Sequence, residues 1–142
     1  MKVKKFLIKI GVVVLLVVMV GGTIVSIKKK KESENAIHVV QSGVSKINED
    51  SNYKKAFEKY FTNLSWFTYK NSQGIRIVGF TAQRYMHNRN TMGDYEISYI
   101  VDENTNTFKF YKGTCNGIEL NQLDMLKITI CAFDQADSVD NY

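Results

Sequence analysis

Apolar positions change their period along this chain, and each change marks a different element. From Ile10 to Ile27 they are continuous, since IGVVVLLVVMVGGTIVSI carries eighteen residues without a charge. Phe6 to Lys9 lengthens the run, and Lys9 stands close enough to its end to snorkel toward lipid headgroups. A helix rising ~1.5 Å per residue over this stretch matches a hydrocarbon core of ~30 Å. A buried helix in a soluble domain would instead show a polar face. The pattern predicts a basic tail over 1–9, a single transmembrane helix over 10–27 and a charged linker, KKKKESEN, over 28–35. A cleaved signal has an apolar region of only ~7–15 residues. Here the run passes Gly21 and Gly22 and stops at Lys28–Lys31, which is a stop-transfer pattern.

From Ala36 the spacing becomes that of a globular domain extending to Phe133. Val39, Val40, Val44 and Ile47 recur at helical intervals, and NEDSN (Asn48 to Asn52) breaks that helix. A second helix starts with Asn52 as its cap. It carries Tyr53, Ala56, Phe57, Tyr60 and Phe61 on one stripe and Lys54, Lys55, Glu58 and Lys59 on the other, and Asn63 ends it. Beyond it the period falls to two. SWFTYK, IRIVGF, YEISYIVD and TFKFYKG read as four strands, joined by NSQG, by the polar stretch MHNRNTMGD and by ENTN. Trp66, Phe67 and Tyr69 cannot all point inward on one strand, so one aromatic face stays partly exposed. NQLDMLKITICAF (Asn121 to Phe133) returns to helical spacing through Leu123, Leu126 and Ile130, and an acidic tail fills 134–142. The fold class is therefore α+β: a transmembrane helix, short helices, a four-stranded antiparallel meander and a closing C-terminal helix.

Composition and charge narrow the function classes. The net charge of +5 comes entirely from eight lysines in residues 1–31, while the chain from Ala36 is nearly neutral, with eleven basic against twelve acidic residues. Nothing in the folded part draws phosphates, so nucleic acid is not an expected partner. Sixteen Phe and Tyr residues are incompatible with a disordered chain. Four lysines precede the apolar run and four follow it, which leaves the positive-inside count level. The short N-terminal tail then favours a cell-membrane protein with its C-terminal domain extracytoplasmic.

The order of short signatures resembles an uncharacterised family of small bacterial membrane-anchored or lipoprotein domains, mainly of Gram-positive type. The matching residues are Val40 and Gly43, Ala56-Phe57 with Tyr60-Phe61, Trp66 with Tyr69, Val78 with Phe80-Thr81, Val101-Asp102, Thr107-Phe108, Asn116-Gly117-Ile118, and Asn121 with Leu123. Ala82 stands where that pattern prefers glycine, and the stretch Gln83 to Asp94 is longer than in the pattern. The resemblance implies the fold and the anchoring. It transfers no catalytic residue, because the shared positions are apolar or turn-forming. It also implies that Cys115 occupies a large apolar position.

No catalytic constellation is legible. His38 and His87 lack ligand spacing, and there is no Walker loop, G-x-G-x-x-G or G-x-S-x-G. No metal or cofactor is expected, and the chain reads as no enzyme. Asp134, Asp137 and Asp140 lack the glycine turn and closing glutamate of a calcium loop. Cys115 and Cys131 admit either one disulfide or two free thiols. The candidate recognition loop spans Arg84, Tyr85, His87, Arg89 and reaches Tyr95, since loops on rigid scaffolds carry recognition. The expected function is a membrane-tethered, non-enzymatic binding or assembly domain whose partners are the lipid bilayer and another protein. The alternatives are a scaffold subunit of a secretion or conjugation machine, or a hydrolase without a recognisable motif.

Overall fold

The computed structural model describes residues 28–136, and the expected transmembrane helix over 10–27 lies outside them. Among the described residues no helix is long and apolar enough to cross a membrane. The chain divides into two compact units, residues 1–34 and 35–142.

Residues 28–41 form helix α1, so the expected charged linker is helical. Lys30 and Glu34 stand 4.0 Å apart at i,i+4, a pairing that supports such a helix by ~0.2–0.5 kcal/mol. Ala36 and Val40 are its buried residues. The helix then stops well before the point that the periodicity of its valines suggested. Gly43 donates to the Val40 carbonyl at 3.1 Å and its own carbonyl accepts from Tyr53 N at 3.0 Å. A side chain at Gly43 would collide with the Phe108 ring, so the backbone presses against the sheet there. The chain next forms a small hairpin, β1 (Val44–Ser45) and β2 (Asn48–Asn52), in place of the expected helix and break. Val44 and Ile47 are exposed rather than core. Asn48 is the buried anchor of that hairpin, its Nδ2 donating to the Phe133 carbonyl at 3.2 Å.

Helix α2 (Tyr53–Tyr60) starts where the sequence places it, with the Asn52 side chain accepting from Lys55 N at 2.9 Å. An N-cap of this kind contributes ~1 kcal/mol. Phe61 closes the helix by donating to Phe57 O.

A five-stranded antiparallel sheet comes after it, in the order β3 (Thr62–Lys70), β4 (Arg76–Met86), β5 (Thr91–Asp102), β6 (Thr107–Cys115), β7 (Ile118–Glu119). The expected four strands are all present, and the polar stretches extend two of them. Asparagines do the turning: Asn90, Asn106 and Asn116 all have φ near 51°, the left-handed region that asparagine tolerates better than most residues. Asn116 is followed by Gly117 at φ 76°, so both central residues of the β6–β7 turn are left-handed, as a two-residue hairpin of the mirror type requires.

Helix α3 (Gln122–Ala136) closes the fold. It buries Met125, Ala132 and Phe133 and leaves Leu123, Leu126 and Ile130 exposed, which corrects the inward stripe suggested by their spacing. One face of the sheet packs against the helices through an aromatic cluster. Tyr53 meets Phe57 at 5.3 Å, Phe108 at 5.0 Å and Phe133 at 5.1 Å between ring centroids, all edge-on. Phe57 in turn lies 5.0 Å from Phe80 on β4. Such pairs contribute ~0.5–1.5 kcal/mol each beyond their area. Trp66 joins this core, 5.1 Å from Phe80, while Phe67 and Tyr69 stack on the opposite face.

Candidate functional site

Strand pairing shows where the sheet leaves something unsupported. β3 pairs with β4 only as far as Thr62 opposite Gln83, and β6 pairs with β5 only from Cys115 opposite Tyr95. Beyond those limits β4 and β5 continue alone through Arg84 opposite Gly93, Tyr85 opposite Met92 and Met86 opposite Thr91. The expected polar loop is therefore a two-stranded arm with a four-residue turn, His87 to Asn90. Alternation explains the extension: Arg84 and Met86 continue the inward positions of β4, and Tyr85 the outward ones.

Several contacts hold the arm in place. Arg84 lays its guanidinium 3.3 Å from the centroid of the Tyr60 ring and donates from Nη1 to the Tyr60 carbonyl at 3.0 Å. A cation over an aromatic face at a partly buried site contributes ~0.5–2 kcal/mol. At the tip the Tyr85 hydroxyl donates to Asn90 Oδ1, and Arg89 N donates to Met86 O at 3.1 Å. His87 meets the Tyr85 ring edge-on at 4.9 Å. Gly93 leaves room for Met86, since a Cβ there would stand 3.0 Å from Tyr95 Cε2 and 3.2 Å from the Met86 sulfur.

At the arm's base a polar relay crosses three strands. Asn63 Nδ2 donates to Gln83 Oε1 at 2.7 Å, and Gln83 Nε2 donates to Asp94 Oδ1 at 2.7 Å. Asp94 and Asn116 then exchange two bonds of 2.8 Å. The relay borders a shallow cavity of about 480 Å³ that also takes in Glu96 and Thr114.

The five residues expected to act together are thus divided. Tyr85 and His87 share the outer side and tip, and Arg89 sits in the turn. Arg84 is a structural brace, and Tyr95 faces the helices, 5.2 Å from Phe61. Burial first, then a hydrogen bond with Cys115, pushes the Tyr95 phenol up to about 12. The residue missed by the sequence is Met92. It is 43% exposed directly across from Tyr85 at 41%, and it lay hidden in a stretch that read as a polar loop.

The two cysteines are free, Cys115 half-buried beside Tyr95 and Cys131 exposed on α3. Among the described residues no three His, Cys, Asp or Glu side chains gather as a metal site. His38 borders a separate polar groove with Ser42, Glu103 and Asn106.

No protein-family model, curated protein or solved structure matches this chain.

Proposed function

We propose that this chain is a membrane-tethered, non-enzymatic binding or assembly domain that engages another protein through the β4–β5 arm. The carrying observation is that arm: two strands beyond the support of the sheet, with Tyr85 and Met92 side by side on its outer surface. Aromatic residues, Met and Arg are the types enriched at protein interfaces, and Tyr85, Met92 and Arg89 supply one of each. The Arg84 brace keeps the arm ordered before any partner arrives, which lowers the entropy lost on binding. The tether rests on the uncharged run Ile10 to Ile27.

The test uses the full chain in its own membrane, with a photo-crosslinking residue placed singly at Tyr85, Met92 and Thr105. Thr105 lies in the turn between β5 and β6, at the far end of the sheet. Adducts to one protein from Tyr85 and Met92, and none from Thr105, are expected. Equal adducts from all three positions, or none from the arm, would overturn the reading. Release of the chain from washed membranes by alkaline carbonate would remove the tether.

A further inference from the structure

Three large apolar side chains stand exposed in one line on α3: Leu123 (58% exposed), Leu126 (52%) and Ile130 (42%). At ~3.6 residues per turn they fall within about 60° of one another, apart from the face that buries Met125, Ala132 and Phe133. Ile47 of the β1–β2 hairpin, exposed as well, lines an open groove together with Leu126 and widens the apolar patch. A contiguous exposed patch of this kind marks a contact surface.

Spacings of three and four are those of a heptad seam, with Leu123 and Ile130 in its first position and Leu126 in its fourth. On that numbering Lys127 and Asp134 both hold the fifth position, on one flank, and Gln122 and Thr129 hold the seventh, on the other. Lys127 and Asp134 are exposed, and among the described residues neither forms an ion pair. These flank charges decide what covers the seam. A bilayer surface suits a helix whose polar flanks are rich in lysine and arginine, whereas α3 carries one lysine against two aspartates. A second α3 lying antiparallel supplies the complement. Fifth positions then meet fifth positions, so each Lys127 stands beside the other copy's Asp134. A parallel pair would set the same charges against the uncharged Gln122 and Thr129.

We propose that α3 pairs antiparallel with α3 of a second copy of this chain about a two-fold axis, Leu126 against Ile130 and Lys127 against Asp134 of the other copy. The axis makes the contact closed and self-complementary. The seam spans about two turns, which places the contact in the small, transient class below ~1,200 Å² and ties its population to the local density of chains.

Two copies of the full chain with different affinity tags are produced in one cell, one of them with a photo-crosslinking residue at Leu123. Irradiation should give a covalent product carrying both tags, with the insertion mapped by mass spectrometry to the stretch Ile128 to Asp134 of the other copy. Lys127→Asp in both copies should lower the yield roughly tenfold, since two attractive pairs become repulsive. Adding Asp134→Lys to both should restore it. Leu126→Asn should lower the yield without any change of charge. All three positions are exposed, and thermal unfolding checks that each variant keeps the fold. Insertion between Gly113 and Lys127 would make the helices parallel. Insertion into residues 1–27 or 137–142 of the same chain would make the seam an internal docking site, and adducts only to lipid or to another protein would assign it to that partner. Each of these results overturns the proposal, as does a two-tagged product indifferent to Lys127→Asp, or none at all.

Discussion

A methyl group at Gly79 would stand 2.5 Å from Phe67 Cζ and 2.8 Å from the Ile97 carbonyl oxygen. Phe67 can rotate away, but the β5 backbone cannot. Gly79→Ala should therefore destabilise the fold by ~1–3 kcal/mol through overpacking. Gly74 makes the opposite case, with open space around its Cβ position but φ at 77°. Alanine there meets no atom, and its cost of ~1–2 kcal/mol is conformational. Urea unfolding of both variants measures the two costs. Restoring stability to Gly79→Ala with a second change, Phe67→Ala, would show that the ring was the main obstacle. If the double variant is no better, the Ile97 carbonyl dominates. A loss below ~0.5 kcal/mol for Gly79→Ala would mean that the ring does not sit over that glycine at all.

The elements divide into those written locally and those written at a distance. Helix α2 and strands β4 to β6 are legible because cap, stripe and alternation all lie close together along the chain. The β1–β2 hairpin is not, because Val39 to Ile47 carries a genuine helical period. The fit of Gly43 against Phe108 overrides it, together with the bond from Asn48 to Phe133, 85 residues along the chain. Helix α3 shows a related limit. Periodicity finds the helix, but Leu123, Leu126 and Ile130 compete with Met125, Ala132 and Phe133, and only packing decides which stripe turns inward. The arm was half legible: its residues stood out by type, yet the strand pairing that puts Met92 across from Tyr85 is a property of register. Two outcomes are expected at this scale. Asn48→Ala loses both its bond to Phe133 O and its acceptance from Asp50 N, and should lower stability by ~1–3 kcal/mol, read from the urea midpoint. Tyr85→Ala with Met92→Ala removes one exposed cross-strand pair together with the Tyr85 bond to Asn90 and its contact with His87, and should cost ~1–2 kcal/mol. A cost of several kcal/mol would make the pair a structural element rather than a contact surface.

For the molecule as a whole, the tyrosines give the fold a defined alkaline limit. Tyr53, Tyr60, Tyr95 and Tyr99 gather around the interface between the sheet and the helices, and burial is the leading cause that raises each of them. Arg84 opposes the shift at Tyr60 and Tyr95 without reversing it. An unfolded chain releases these protons near pH ~10, while the folded chain keeps the Tyr95 proton until about 12. The contribution of these groups is therefore complete below pH ~10 and is lost as pH rises through the folded values. Above pH ~10 the unfolded state binds fewer protons than the folded one, so stability falls with pH, by up to ~1.4 kcal/mol per pH unit for each such group. Asp102 works in the other direction but adds little. The Asn104 backbone N–H, followed by the Thr105 hydroxyl, holds it below the usual carboxylate range, yet it is fully exposed. The expected profile is flat from neutrality to pH ~9.5 and then steep. Tyrosinate absorbance from these four phenols, Tyr99 buried and the others partly so, should rise together with the loss of far-ultraviolet circular dichroism, as a single cooperative step. Absorbance from all eight tyrosines developing near pH ~10 while the dichroism holds would show that these phenols are open to water, and the aromatic seam between sheet and helices would have to be redrawn.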